Sequence, residues 1–341
     1  MTRATVVAVG RLAVDYRLMI VLVAVSILGA VSVNDFVAFD TFQSVLNRAT
    51  IVGLLALGLT PVLIARQIDL SVGSTLSMAG ISTVMLQPMV GNVPAALLGL
   101  LVGVLIGAVN AAIVVWLRVS SLVTTLATLL IFASLALLLT GSRPVSSPDP
   151  RFGLGLTSEL FVIFSPRSLL FVLAVVAMFV WLRYTPSGRR LYAVGSNPPA
   201  AASAGVNTNA YIASTFLISG LCSGAAGVIQ ALSTATGSPV AGAAMLIPAI
   251  TAVVIGGTRL EGGRGSALAT LGGVVALGAL TAVLEFNGVP SYTQAIYTGL
   301  LLILLITLDR LVDGGGRKAV RTHGKTRAEV IPNPAVTRRK S

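Results

Sequence analysis

The sequence predicts an all-α integral membrane protein with about ten transmembrane helices, some short or broken, and both termini in the cytoplasm. Three observations carry this prediction. The 341-residue chain is 55% hydrophobic and only 10% charged, with a mean hydropathy of +0.94, whereas soluble domains carry roughly 25% charged residues. Apolar stretches near the length a span requires, about 20 residues, recur throughout. The net charge of +12 is divided unevenly among the segments that join them.

The expected spans are about 18–38, 43–64, 69–89, 94–117, 121–140, 163–183, 210–232, 245–258, 266–284 and 292–309. The stretch 245–258 is short for a full crossing and reads as re-entrant or broken. Glycines are frequent inside the apolar runs. Gly103 and Gly107, and Gly220 and Gly224, have the four-residue spacing that lets helix backbones approach closely in lipid. They predict a tightly packed bundle and say nothing about a solute.

Charge sets the orientation. With a cytoplasmic N-terminus, 19 of the 23 basic residues fall inside, and only Arg48, Arg143, Arg151 and Arg167 fall outside. This is the positive-inside distribution. Residues 1–17 are then a cytoplasmic N-terminus, 18–309 the membrane domain, and 310–341 a basic tail whose composition predicts disorder. The basic residues lie between spans and form no separate domain, which argues against nucleic-acid binding. No cleavable signal peptide is expected, because the first apolar run is long enough to span and lacks a small-residue cleavage site. Cys222 is a single thiol in an apolar segment and reads as a small packing residue.

Two connections are long. The external one, about 141–165, is rich in turn residues and reads either as a docking loop or as a spacer. The cytoplasmic one, about 184–209, opens with a turn at Pro186, Ser187 and Gly188. Asn197 is placed to cap a short helix that starts with Pro198 and Pro199, runs through Ala200 to Ala204 and ends at Gly205.

Two polar breaks interrupt the apolar pattern. The first is Arg66-Gln67-Ile68-Asp69-Leu70-Ser71. Charges inside or beside spans are costly, so a functional site is one reading. A short polar turn between two spans, with Arg66 and Asp69 wetted or paired, is the other. The second break contains Gly256, Gly257, Gly262, Gly263 and Gly265, a glycine-built structural interruption. Gly73 to Gly80 and Gly265 to Gly272 share G-S-x-L-x-x-x-G, either a trace of internal duplication or a coincidence of common small residues.

Several chemistries are excluded. The nearest approach to a phosphate-binding loop, 319–326, has Ala319 where glycine is needed and lies in the tail. No paired Cys/His set could hold a metal. The single histidine, His323, lies in the tail, so no Ser/His/Asp set fits the membrane region. Asp69, Glu261, Glu285 and Asp309 all fall near predicted span ends, which argues against a buried proton relay. A chain without its own energy source is passive, ion-coupled, or driven by a separate subunit.

Four ordered blocks resemble the permease subunits of bacterial ATP-binding-cassette importers for simple sugars, the ribose-type group. They are Asn47-Arg48-Ala49 leading into Ile68-Asp69-Leu70-Ser71-Val72-Gly73-Ser74; Asn110 with 119–129; 188–206; and 249–258 with 262–266. The resemblance implies a second permease chain, identical or homologous, and two cytoplasmic ATPase subunits that use ATP and Mg. It also implies a periplasmic or lipid-anchored sugar-binding protein, and a place in the bacterial inner membrane. It marks Asn47, Asp69, Ser71, Gly73, Ser74, Asn110, Thr124 and Thr125 as candidate pathway residues. The segment 198–206 resembles the helix that couples to the ATPase, with Gly195, Asn197, Ala200, Ala201 and Gly205 as its candidate residues. No cofactor, metal ligand or catalytic residue is expected on this chain.

One departure bears on the solute. Many members of the group have two glycines before Ile-Asp-Leu-Ser, and this chain has Arg66 and Gln67 there. An arginine at this place resembles the rhamnose-type and autoinducer-2-type permeases, and it is spaced to pair with Asp69. The competing readings are an ion-coupled secondary transporter, a permease for branched-chain amino acids or nucleosides, and a membrane enzyme.

Overall fold

The computed structural model describes residues 16–32, 39–158, 160 and 164–307. The N-terminal 1–15 and everything after 307, including the basic tail with His323 and the 319–326 stretch, lie outside the described residues. Among the described residues, each apolar stretch expected to span contains a helix. The helices are α1 (Arg17–Ser32), α2 (Phe39–Ile64), α3 (Val72–Val90), α4 (Asn92–Val115), α5 (Ser121–Thr140), α6 (Pro150–Thr157), α7 (Pro166–Tyr184), α8 (Pro186–Ser196), α9 (Pro198–Ser203), α10 (Thr208–Ser233), α11 (Leu246–Ile255), α12 (Ala267–Phe286) and α13 (Ser291–Thr307). Five of them, α4, α5, α7, α10 and α12, are long and apolar enough to cross a membrane by length and composition.

α10 is the hub. It packs most extensively on α4, then on α3 and α2, while α12 joins α2 to α11. α3 carries serines and threonines that would be poorly suited to lipid, and it is buried along most of its length. The largest apolar cluster centres on α2, with Phe171 of α7, Ile255 of α11 and Leu277 of α12 packed around it. Cys222 packs as expected, its Cβ facing the space above Gly58.

The two four-residue glycine pairs meet each other. A Cβ placed at Gly103 would lie 2.6 Å from both the Gly220 carbonyl oxygen and the Gly224 Cα, and one at Gly107 would strike the Phe216 carbonyl. α4 and α10 therefore touch backbone to backbone. Lipid tails compete for apolar surface, so close packing of this kind, instead of burial, stabilises helix contacts in a membrane. Gly103→Val is expected to destabilise the purified protein by about 1–3 kcal/mol through overpacking, read as a lower Tm in detergent. Gly155, with nothing within 4 Å of an added Cβ, is the control; Gly155→Ala should leave the Tm unchanged.

The connection at 141–165 is more ordered than a turn-rich loop. β1 (Val145–Ser146) pairs antiparallel with β2 (Thr236–Gly237), and α6 follows with Asp149 as its N-cap. Asn92 donates to Asp149 (2.8 Å), Gln87 donates to Asn92 (3.1 Å), and Ser147 donates to Gln87 (2.8 Å). These bonds tie the α3–α4 corner to the connection. Periodicity missed α6 because its eight residues are too short to show it.

α11 is a ten-residue helix, about 15 Å long at 1.5 Å per residue, half of a hydrocarbon core of about 30 Å. Irregular chain precedes it. Gly237 packs beside Ile81, and Gly242 beside Gly73, so 237–242 runs down the side of α3 before α11 continues. The stretch 245–258 is thus a short helix entered through irregular chain.

Candidate functional site: two broken crossings and a glycine junction

The first break begins where α2 ends. Gln67 N–H donates to the Val62 carbonyl and Arg66 N–H to the Leu63 carbonyl, both at 3.0 Å. This pair of bonds closes a helix with a left-handed residue, usually glycine. That residue here is Arg66, with φ 62°. A glycine at 66 would adopt this conformation without the penalty a side chain meets there. Arg66 is exposed, and its aliphatic stem covers Gly262. It does not pair with Asp69, as its spacing had predicted. Arg66→Gly is expected to be neutral to stabilising by up to about 1 kcal/mol, because it removes the left-handed penalty. A thermal melt checks the sign, and a drop in Tm would mean that stem packing outweighs backbone strain.

Between the two helices, 67–71 is held from several sides. The Ile68 N–H donates to Ser121 Oγ (3.2 Å) and the Leu70 N–H to Thr125 Oγ1 (3.1 Å), both on α5. Thr125 also donates back to the Ile68 and Ser121 carbonyls. Polar backbone away from water must be satisfied internally, and α5 supplies those partners.

Asp69 is the centre of the network and is only 2% exposed. Its Oδ1 accepts from the Ser71 N–H (2.9 Å) and the Ser71 hydroxyl (2.6 Å), and its Oδ2 accepts from Ser219 Oγ of α10 (2.7 Å). Asn110 Nδ2 of α4 donates to Ser71 Oγ (2.8 Å), and Thr128 Oγ1 of α5 donates to Asn110 Oδ1 (2.8 Å). The network therefore joins the break to α4, α5 and α10. A half-satisfied polar network would be worse than an apolar core, and this one is closed.

The charge count had placed Asp69 near a span end; the structure places it deeper. Ser219 lies about 16 Å along α10 from Thr208, at 1.5 Å per residue. α3 does not begin until Val72, so the unwound chain carries Asp69 inward.

The irregular stretch 237–242, which precedes α11, meets the start of α3. A Cβ at Gly73 would sit 2.7 Å from the Gly242 carbonyl oxygen, and the Gly242 N–H donates to Ser77 Oγ (3.0 Å). An irregular stretch thus lies against the first turns of α3, directly after the break at 67–71. Irregular backbone at such depth is tolerated where protein or a watery cavity surrounds it, and discontinuous helices mark solute sites in many transporters.

Among the predicted pathway residues, Asp69, Ser71, Asn110 and Thr125 come together. Ser74 joins them through a bond to the Ser71 carbonyl (2.9 Å), and Gly73 forms the contact with Gly242. Thr124 is buried nearby on α5 with no hydrogen-bond partner for its hydroxyl. Asn47 is elsewhere. It accepts from Ser165 Oγ and from Arg167 Nε (3.3 Å) near the start of α7, toward the opposite end of α2. Sequence reasoning missed Ser219 and Thr128. Their signal was a hydroxyl on an apolar helix, and Ser219 directly precedes Gly220 of the close-packed pair.

The loop of glycines closes against the end of α2. The Gly263 N–H donates to the Ile64 carbonyl (2.9 Å), and Gly195 of α8 packs so closely on that same carbonyl that a Cβ there would overlap it. A Cβ at Gly263 would fall 2.5 Å from Ser196 Oγ. Tyr192 donates to the Gly265 carbonyl (2.8 Å); burial pushes its phenol above the ordinary range while the Arg183 charge pulls it down. Gly256 packs on α12 at Ala269, and Gly257 closes α11 with φ 90°.

Pro186, Ser187 and Gly188 do not form the expected turn. They are the first turn of α8, capped by Thr185, whose hydroxyl accepts from the Gly188 N–H (3.1 Å). Proline is favoured in that first turn, where its missing N–H would have had no partner. The next helix matches expectation closely. Asn197 Oδ1 accepts from the Ala200 N–H (3.2 Å), Ala201 is buried, and Gly205 closes α9 with φ 78°.

A sequence family described as the permease component of branched-chain amino acid transport systems matches residues 41–305. The chain belongs to this permease family. The ribose import permease protein of Bacillus subtilis (strain 168) is 34% identical over 295 residues, covering 86% of this chain and 90% of that protein. The ribose import permease protein of Haemophilus influenzae is 30% identical over 313 residues, covering 88% and 94%. The autoinducer 2 import system permease protein of Escherichia coli (strain K12) is 34% identical over 261 residues, covering 75% and 79%. No solved structure matches the chain. The matched region contains both breaks and the glycine junction.

Proposed function

We propose that the chain is the membrane-spanning permease subunit of an ATP-driven importer. It forms the pathway for a monosaccharide, or a related small polyol-like solute, delivered by an external binding protein. The observation that carries this reading is the contact between the irregular stretch before α11, at Gly242, and the start of α3 beside the polar break, at Gly73, within a permease-family chain similar to two ribose import permeases. In this reading the end that carries Arg66, Arg118, Arg183, Arg189, Arg190, Arg259 and Arg264 faces the cytoplasm of a bacterial cell, across its inner membrane. Two permease chains, identical or homologous, enclose the pathway. Two ATP-binding-cassette subunits, which hold the ATP and Mg, dock against α9.

The buried network has a framing role here. Both carboxylate oxygens of Asp69 are already occupied by donors from Ser71 and Ser219, so Asp69, Ser71, Asn110 and Thr125 hold the break open and leave solute contact to the apposed backbone. Ile64 gives the mechanical link: its carbonyl touches both Gly195, next to the coupling helix, and Gly263, and the break begins two residues later. A rigid displacement of α8 and α9 therefore moves the end of α2 directly.

The test is reconstitution in liposomes with the candidate ATPase subunit and binding protein. Uptake of a pentose, a deoxyhexose or autoinducer-2 should require all three components and ATP. Uptake by the permease chain alone, driven by an ion gradient, would overturn the reading.

A further inference from the structure

A cleft of about 490 Å³ opens at the basic end of the bundle. It lies between the last turn of α7, the start of α8, the glycine loop and the first residue of α12. Arg183, Arg189 and Arg264 line it, together with Tyr192, Phe179 and Leu182, and no carboxylate is among its lining residues. The three arginines come from three separate segments, and all are exposed. Arg189 is steadied by a bond from Nη1 to the Tyr184 carbonyl (3.4 Å), and the Tyr192 hydroxyl is fixed on Gly265 (2.8 Å). α12 begins at this cleft with Ser266 making no side-chain cap, so its first N–H groups add positive potential to that of the arginines.

The cleft is amphipathic along the direction of the spans. Arg183 stands in the last turn of α7. Phe179 lies about one turn earlier, about 6 Å further into the bundle, and Leu182 directly precedes Arg183. Phe179 also meets Tyr184 edge to face at 5.7 Å. Cations at the level where a span ends, with an aromatic and an aliphatic wall just inside, match one ligand chemistry: a phosphodiester carrying acyl chains. Basic pockets between spans bind such head groups. An acidic protein partner would match the arginines and leave the apolar wall without a role.

We infer that this cleft is a binding site for an anionic phospholipid, with the phosphodiester on Arg183, Arg189 and Arg264 and an acyl chain along Phe179 and Leu182. The site is separate from the solute pathway. Because Tyr192 and Arg264 adjoin the glycine junction, an occupied cleft braces α8 against α12.

The experiment is native mass spectrometry of the full chain in detergent, titrated with phosphatidylglycerol, with phosphatidylcholine and with inorganic phosphate. The wild type should bind phosphatidylglycerol in preference to phosphatidylcholine. Each basic residue near an anionic lipid contributes about fivefold, so the triple variant Arg183→Gln, Arg189→Gln, Arg264→Gln should lose that preference by tenfold or more. The triple Lys variant should keep most of it, and Arg190→Gln, outside the cleft, should behave as wild type. Equal binding of both lipids by the wild type, or a preference unchanged in the triple Gln variant, would overturn the assignment. Displacement of the lipid by millimolar phosphate, with arginine-dependent phosphate binding, would make it a free-ion site instead. Unchanged lipid binding with loss of ATPase co-purification in the Gln variant would make it a protein-docking surface.

Discussion

Asp69→Ala is expected to abolish uptake while leaving the chain inserted in the membrane. The substitution strands the Ser71 N–H, the Ser71 hydroxyl and the Ser219 hydroxyl, and each buried group left without a partner costs about 1–3 kcal/mol. Their sum is large against the stability of a single unwound stretch, so the break loses its shape. Asp69→Asn keeps the shape but turns a donor toward one serine; a drop of about tenfold in uptake corresponds to the loss of roughly one such bond. Ser219→Ala removes a single donor and should fall between Asp69→Asn and wild type. Transport of labelled solute into vesicles, normalised to inserted protein, gives the order. The kinetic split separates framing from solute contact. A frame predicts a lower maximal rate at an unchanged half-saturation concentration, whereas a raised half-saturation concentration with the maximal rate intact would place Asp69 in contact with the solute.

Gly195→Val is expected to uncouple ATP hydrolysis from the binding protein. The new side chain would occupy the space of the Ile64 carbonyl and crowd the Gly263 N–H that donates to it. Backbone is the neighbour on both sides, so no flexible side chain can give way. Stimulation of ATPase activity by the loaded binding protein should be lost in liposomes, while the ATPase subunit still co-purifies. Gly195→Ala should show a partial loss. Gly205→Ala is a useful contrast: nothing lies within 4 Å of an added Cβ there, and only its φ of 78° resists the change. It should cost about 1–2 kcal/mol and leave most of the stimulation. Full stimulation in Gly195→Val would mean that the motion bypasses the end of α2.

The helices were legible because hydropathy reports them one by one. Each expected span contains a helix among the described residues, and α9 was read from Asn197, Pro198 and Gly205, whose local chemistry needs no tertiary partner. The two glycine pairs were read as close-packing surfaces, but spacing alone does not say that Gly103 meets Gly220. The depth of Asp69 was not legible, because it depends on how far the unwound 65–71 travels before α3 starts. Proximity to Arg66 suggested a pair; α4, α5 and α10 supply the actual partners of the break from 39 to 150 residues away along the chain. Asn47 and Asp69 belong to one sequence block and sit at opposite ends of α2, since a continuous helix separates what a motif joins. Pro186 read as a turn because Pro-Ser-Gly is turn composition, and Thr185 decided the matter by capping.

The backbone-to-backbone crossing of α4 and α10 also sets a schedule for biosynthesis. α4 is complete at Val115 and its partner does not begin until Thr208. At roughly 5–20 residues per second, the ribosome takes about 5–20 s to deliver the matching surface. For that interval Gly103 and Gly107 face whatever shares the insertion site, a nascent neighbour or a membrane chaperone. The groove that makes the finished bundle tight is, during synthesis, an open docking face waiting for a helix not yet made.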